Sequence, residues 1–244
     1  MLIGAHCHLA NLSRLMPLSQ IMDEAQKQGI GLYLSSALNR EEVRIYQCLN
    51  DPRIRYSAGI HPHWEDCDLE LEDLRQLCAA QQIWALGEIG VDRSGPPIVK
   101  QLDIFEAQLQ LAKEYGLPVV LHIVGQQQAA WELIKHYHLR YLVHGYAGSI
   151  QGYQLLAQAN SWFTISERIL RADKAKLLAE ILDSKRYLLE TDITSMYVQP
   201  REHNPLLRLL DVLERAEESS GIDRQELIAT QQHNYLLLSG EING

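Results

Sequence analysis

The sequence is short of cysteine, of long apolar runs and of basic residues. It has four cysteines, Cys7, Cys48, Cys67 and Cys78, and no CxxC pair among them. A disulfide-stapled scaffold and a cysteine-rich zinc ribbon are therefore not expected; four reduced thiols in a cytoplasmic protein are. No stretch approaches the roughly 20 apolar residues that a bilayer-spanning helix needs, and no signal-peptide pattern stands at the start of the sequence. No membrane partner is expected. The 22 Lys and Arg are outnumbered by 31 Asp and Glu, giving a net charge of −9. That argues against a long basic track for indiscriminate nucleic-acid binding. A local phosphate site stays open, because a bound metal reverses the local sign of charge. Gly/Pro/Ser-rich linkers, charge blocks, low-complexity segments and internal repeats are absent too. The 244 residues are thus read as a single domain, a size that α/β barrels reach routinely.

What the sequence does contain is alternation. Eight short apolar runs are candidate strands: 2–6, 31–37, 54–60, 83–89, 117–123, 140–144, 161–166 and 186–191. Helical patterns separate or follow them, at 19–28, 40–50, 69–81, 100–115, 126–138, 150–159, 172–183, 205–219 and 224–238. Asn39 with Glu42, and Asp223 with Glu226, fit capping boxes at helix starts. Leu102, Phe105, Leu109 and Ala112 form the apolar stripe of a helix lying on a sheet. Repeated β-α units imply parallel strands with helical crossovers. Eight of them predict closure into a TIM-like (β/α)8 barrel, with a doubly wound open sheet as the competitor.

In a barrel, function sits at the C-terminal ends of the strands, and there the polar residues gather. The first run ends in His6-Cys7-His8, the third in His61-Pro62-His63, the fourth in Glu88, the fifth in His122, the sixth in His144 and the eighth in Glu190-Thr191-Asp192. A strand alternates its faces, so His6 and His8 point one way and Cys7 the other. One histidine at a strand end is ordinarily a hydrogen-bonded loop residue. Six coincident placements of imidazole and carboxylate suit zinc, manganese or iron, and a metal would offset the desolvation cost of burying them together. The ligands suffice for two ions.

These residues carry a resemblance. HCHL (6–9), GIHPH (59–63), ALGEIGVD (85–92), the QxxxFxxQLxLA pattern from Gln101 to Ala112, LPVVLH (117–122), VHGYAGS (143–149), LLETD (188–192) and TxxxN from Thr230 to Asn234 run in the order of the TatD-like metal-dependent hydrolases. This is a branch of the amidohydrolase superfamily that includes deoxyribonucleases. The resemblance implies a TIM-like barrel holding divalent ions (Zn, Mg or Mn), two of them on this count of ligands. It implies that His6, His8 and Asp192 bind one ion, that His122 and His144 bind a second, and that Glu88 bridges them. It places His61 and His63 against substrate. The sequence departs from the family at Gly4, where an acid is usual, at Val124, where an arginine is usual, and at Ile193-Thr194, where Ala-Pro is usual. Arg168 and Arg201 are candidates to replace the missing arginine.

The chemistry implied is hydrolysis by a metal-activated water, with Glu88 and Asp192 as the catalytic carboxylates and Asp192 accepting the water proton. The primary expectation is a phosphodiesterase acting on DNA, an exonuclease on single-stranded ends, with Trp64 available to stack a base. The alternatives are hydrolysis of a small-molecule ester, lactone or amide, and a degenerate barrel serving as a binding subunit of a larger assembly.

Overall fold

The computed structural model describes residues 1–63 and 65–242; the expected stacking role of Trp64 lies outside the described residues. Eight parallel strands form one sheet in sequence order, β1 Leu2–Cys7, β2 Ile30–Ala37, β3 Ile54–Ala58, β4 Leu86–Asp92, β5 Val119–Val124, β6 Tyr141–Val143, β7 Ser161–Ile165 and β8 Tyr187–Leu189. The last strand returns beside the first. Asp192 donates its N–H to the His6 carbonyl at 3.1 Å, and His8 donates to the Ile193 carbonyl at 3.0 Å. The expected (β/α)8 barrel is the fold, and the open sheet is not.

The helices are α1 Leu9–Leu12, α2 Leu18–Lys27, α3 Arg40–Leu49, α4 Leu71–Ala79, α5 Ile98–Tyr115, α6 Gln127–Ile134, α7 Ile150–Leu156, α8 Ala175–Asp183, α9 Arg208–Ser220 and α10 Arg224–Ser239. Among the described residues none is long and apolar enough to cross a membrane. The predicted caps are half right. Asn39 Oδ1 accepts from the Glu42 N–H at 2.9 Å, but the Glu42 carboxylate takes the Leu38 N–H at 2.8 Å instead of closing a box on Asn39. Asp223 caps the Gln225 N–H.

Strand alternation sorts the apolar residues into two layers. Ile3, Ala5, Leu32, Leu34, Val120, Leu142 and Leu188 pack inside the barrel with Trp162, and Tyr235 and Leu238 of α10 join them. The other strand faces, including Cys7, Ile89, Val91, Leu121 and Phe163, pack against the helices in a larger outer layer. The late TxxxN motif is explained here. The Asn234 amide accepts from Trp162 Nε1 at 3.1 Å and donates to the carbonyls of Lys185 and Tyr187, so α10 is tied to the start of β8. With the inside filled by side chains, the C-terminal end of the sheet is left to carry the polar residues.

Candidate metal centre

Six side chains from five strand ends converge on Glu88. Its two oxygens divide the imidazoles between them. Oε1 lies 3.3 Å from His6 Nε2 and 3.2 Å from His8 Nε2. Oε2 lies 2.9 Å from His144 Nε2 and 3.6 Å from both His122 Nδ1 and His61 Nε2. Asp192 Oδ1 completes the first set, 3.6 Å from His6 Nε2 and 3.5 Å from His8 Nε2.

These separations test whether a metal fits. A tetrahedral ion with bonds of about 2.1 Å to nitrogen and oxygen holds its ligand atoms about 3.4 Å apart. The four distances linking His6, His8, Glu88 Oε1 and Asp192 Oδ1 scatter around that value. His6 Nε2 and Glu88 Oε1 are also buried without a hydrogen-bond partner although 3.3 Å apart. They are close but not aligned for a hydrogen bond, as two groups are when both aim their lone pairs at a common point. The second set, His122 Nδ1, His144 Nε2 and Glu88 Oε2, has two ring nitrogens 3.2 Å apart. The donor set fits divalent ions.

Buried charge is balanced by proton placement when metal is absent. Burial alone would raise the Glu88 carboxyl, but His6, His144 and His8 hold it well below its ordinary range. Burial would likewise raise Asp192, and His8 and His6 hold it low. Burial favours neutral His8, but Glu88 and Asp192 push its pKa up to about 9. For His122, burial is again overcome, by Asp92 and then Glu88, and its pKa also rises to about 9. His144, buried and beside His6, falls to about 4. Metal ligation requires the unprotonated imidazole. Metal uptake at pH 7 should therefore expel protons from His8 and His122, and affinity should rise from pH 6 to about pH 9 and then level off. Calorimetry in two buffers of different ionisation enthalpy reads this release; uptake that ignores pH would remove both imidazoles from the ligand set.

The opening stretch behaves as its alternation requires, with one irregularity. Between Gly4 and Cys7 the register against β2 slips, since Gly4 lies opposite Tyr33 and Cys7 opposite Ser35. A side chain at position 4 would meet Tyr33 Cδ1 at 3.5 Å and Leu209 Cδ2 at 3.6 Å. The departure at Gly4 thus faces the outer, helix-packed layer and not the imidazoles. Cys7 also sits in that layer, where its Sγ faces the Leu34 carbonyl at 3.7 Å, away from the imidazoles, and burial pushes its thiol up to about 12. Cys7→Ser should leave metal content unchanged, whereas His8→Ala should lower it by at least about tenfold in affinity. Metal stoichiometry of the two purified variants checks this, and the reverse pattern would mean that Cys7 is the ligand.

His61 and His63 part company. His61 reaches the cluster, its ring centroid 4.4 Å from that of His122. Its Nδ1 accepts the His63 backbone N–H at 3.0 Å, which leaves Nε2 as the protonated nitrogen of the neutral ring. Burial lowers the His61 pKa and favours that neutral form. The His63 side chain is exposed and makes none of the contacts to Glu88.

Two acidic residues and two glutamines fall within the sequence motifs, which assign them no role. Asp92, four residues beyond Glu88 on the same strand face, accepts from His122 Nε2 at 2.8 Å and so turns His122 Nδ1 toward Glu88. Glu190 is buried. Its Oε1 accepts from the Gly145 N–H at 2.8 Å, its Oε2 has no partner, and burial pushes its pKa up to about 7. Gln101 and Gln108, two turns apart on α5, grip backbone with both ends of their amides. Gln101 holds the N–H and carbonyl of Asp92, and Gln108 those of Ile60 beside His61. The spacing in the QxxxFxxQ pattern was visible, but its meaning needed the strand ends in place.

Comparison with known proteins agrees with this geometry. The profile of the TatD related DNase family matches residues 3–239. The uncharacterized metal-dependent hydrolase YjjV of Escherichia coli K12 is 29% identical over 228 residues, 86% of this chain and 88% of that one. The crystal structure of the same Escherichia coli TatD homolog superposes with a TM-score of 0.82 over 97% of both chains at 25% identity. The 3'-5' ssDNA/RNA exonuclease TatD of Rahnella sp. is 27% identical over 201 residues, 76% of each chain. The chain belongs to the TatD related DNase family.

Proposed function

We propose that the protein is a deoxyribonuclease that removes nucleotides from single-stranded DNA ends, using two divalent ions held by His6, His8 and Asp192 on one side of Glu88 and by His122 and His144 on the other. The observation that carries the reading is the division of the Glu88 oxygens between two sets of imidazoles. The family's metal-dependent hydrolase chemistry supports it, and the Rahnella relative named as a single-strand exonuclease supports the substrate class. The four thiols of the chain are free, which suits a reducing compartment such as the cytoplasm.

Bound divalent ions would supply Lewis acidity toward a phosphoryl oxygen and acidify water near neutral pH. The chain's own residues do the rest. Glu88 fixes the distance between the two ligand sets. Asp192 sits at φ 52, a backbone region uncommon for residues other than glycine and tolerated by aspartate. That conformation aims Oδ1 at His6 and His8 and turns Oδ2 away from them, 3.3 Å from Arg168 Nη2; in this reading the Asp192 carboxylate accepts the proton of the attacking water. His61, neutral with its proton on Nε2, donates to a substrate oxygen or to the leaving group. His63 contributes to substrate contact through the backbone N–H that sets this tautomer and through its exposed ring.

The test is turnover of oligonucleotides labelled at the 3' or the 5' end, with Mg²⁺, Mn²⁺ or Zn²⁺ added to EDTA-stripped protein whose metal content is known from elemental analysis. The expected result is stepwise shortening from one end, lost on chelation and restored by metal. Turnover confined to esters, lactones or amides would overturn the nuclease reading, and a protein that takes up no metal would overturn the whole of it.

A further inference from the structure

A cavity of about 290 Å³ opens beside Asp192, lined by Ser166, Arg168, Asp192, Tyr197, Gln199 and Arg208 among others. Its size sits at the low end of small-ligand sites, enough for one nucleotide unit and not for a duplex. Arg168 lies on the segment that leaves β7. Its Nη2 stands 3.3 Å from Asp192 Oδ2, the oxygen turned away from the imidazoles, and its Nη1 is 3.7 Å from where a side chain on Gly145 would begin. The guanidinium therefore spans two strand ends that carry metal-type residues, Asp192 after β8 and His144-Gly145 after β6. Half of the Arg168 side chain is exposed, and Asp192 is its only ion-pair partner among the described residues. Arg208 is committed differently, gripping both oxygens of Glu202 and donating to the Tyr197 carbonyl at 2.9 Å. That bond fixes the short turn Ser195–Tyr197, whose Met196 and Tyr197 are exposed large side chains in a chain that buries most of its apolar residues.

We propose that this cavity binds the phosphate-bearing nucleoside unit of the substrate, with Arg168 on the phosphate and Tyr197 stacked on the base. The inference rests on the phosphodiester reading of the adjoining centre. A guanidinium offers five N–H donors in a planar fork. One directed at Asp192 leaves the rest for a phosphate whose other oxygens face the Glu88 cluster. The same arginine steers an anion toward a mouth crowded with carboxylates in a protein of net charge −9. Arg201, the other candidate from the sequence, is not among the residues lining the cavity.

The test uses the metal-loaded full chain and its Arg168→Ala, Arg168→Lys and Tyr197→Ala variants, with inorganic phosphate and thymidine 5'-monophosphate as calorimetric probes. Loss of a charge-assisted contact to phosphate should weaken both probes by about 10–100-fold in Arg168→Ala and less in Arg168→Lys. Tyr197→Ala should weaken thymidine monophosphate by about tenfold or more and leave phosphate unchanged. With a labelled oligonucleotide, Arg168→Ala should raise KM more than it lowers kcat, at unchanged metal stoichiometry. If Arg168→Ala binds phosphate as the unaltered protein does, the proposal is wrong. It is equally wrong if the variant loses metal while phosphate affinity per bound metal stays the same, because Arg168 then only holds Asp192. If phosphate binding depends on Arg168 but no oligonucleotide is cleaved by the unaltered protein, the anion site stands and the nuclease reading falls.

Discussion

Glu88→Gln should abolish metal-dependent hydrolysis while leaving the barrel folded. The change keeps the shape of the side chain and replaces one oxygen by an amide N–H₂, which is a poor ligand. Whichever way the amide turns, one of the two sets of imidazoles loses its shared carboxylate atom. The remaining carbonyl oxygen carries no formal charge, so metal on either side of it should be held more weakly. Loss of an element on which the whole centre depends is worth on the order of a thousandfold or more in turnover. The metal-free variant should also show a drop in the His8 pKa, because Glu88 is the strongest of the charges that raise it. Histidine titration by NMR, metal analysis and oligonucleotide turnover report on the three effects, and a melting curve on the fold. Wild-type metal content and rate in a folded Glu88→Gln protein would show that Glu88 bridges nothing.

Glu88 was legible from sequence and Asp92 was not, and the reason is where a strand stops looking like one. The fourth run was expected at 83–89, on the apolar residues Ile83-Trp84-Ala85-Leu86, and it forms over Leu86–Asp92. Its last residues alternate inward Glu88, Gly90 and Asp92 with outward Ile89 and Val91. An inward face that is polar because it lines a metal site gives no hydrophobic period to read. Moving the strand by three residues is what puts Asp92 opposite Val124 and within reach of His122. The third run shows the opposite error. It was expected to 60 and leaves the sheet after Ala58, which frees Gly59 and Ile60 to be gripped by Gln108. His6 and His8 could be paired from sequence because period-2 alternation needs no partner strand. The roles of Gln101, Gln108 and Glu190 could not, since each acts on an atom more than 8 residues away in sequence; Arg168 was a candidate beside Arg201, and its pairing with Asp192 needed the strand ends in place. The exposure of the His63 side chain is set by the conformation of its loop, for which Pro62 gives a break but no direction.

Gly90→Ala should be among the most damaging single changes in the chain, although it removes no functional group. Gly90 pairs with His122 across β4 and β5 and has φ +143. A β-carbon there would lie 2.1 Å from the His122 carbonyl oxygen and 3.0 Å from its carbonyl carbon. Those atoms are backbone and cannot rotate away, so the two central strands must separate. Gly116, at the C-cap of α5, separates the two penalties that Gly90 combines. It has φ +66, and nothing stands within 4 Å of its β-carbon position. Gly116→Ala therefore costs only the left-handed conformation, about 1 kcal/mol. Gly90→Ala adds steric overlap between strands and should cost on the order of 3–5 kcal/mol. For a domain of this size that lowers the melting temperature by roughly 10 °C. The damage falls on the centre as well. Opening β4 from β5 carries Glu88 and Asp92 away from His122, so the folded fraction should bind metal at the proposed His122–His144 set at least about tenfold more weakly while the set at His6, His8 and Asp192 keeps its grip. Thermal denaturation of both variants, with metal stoichiometry on the protein that remains folded below the transition, measures the two parts. Equal melting temperatures for Gly90→Ala and Gly116→Ala would show that β4 and β5 do not approach each other this closely, and the placement of Asp92 against His122 would fall with that contact.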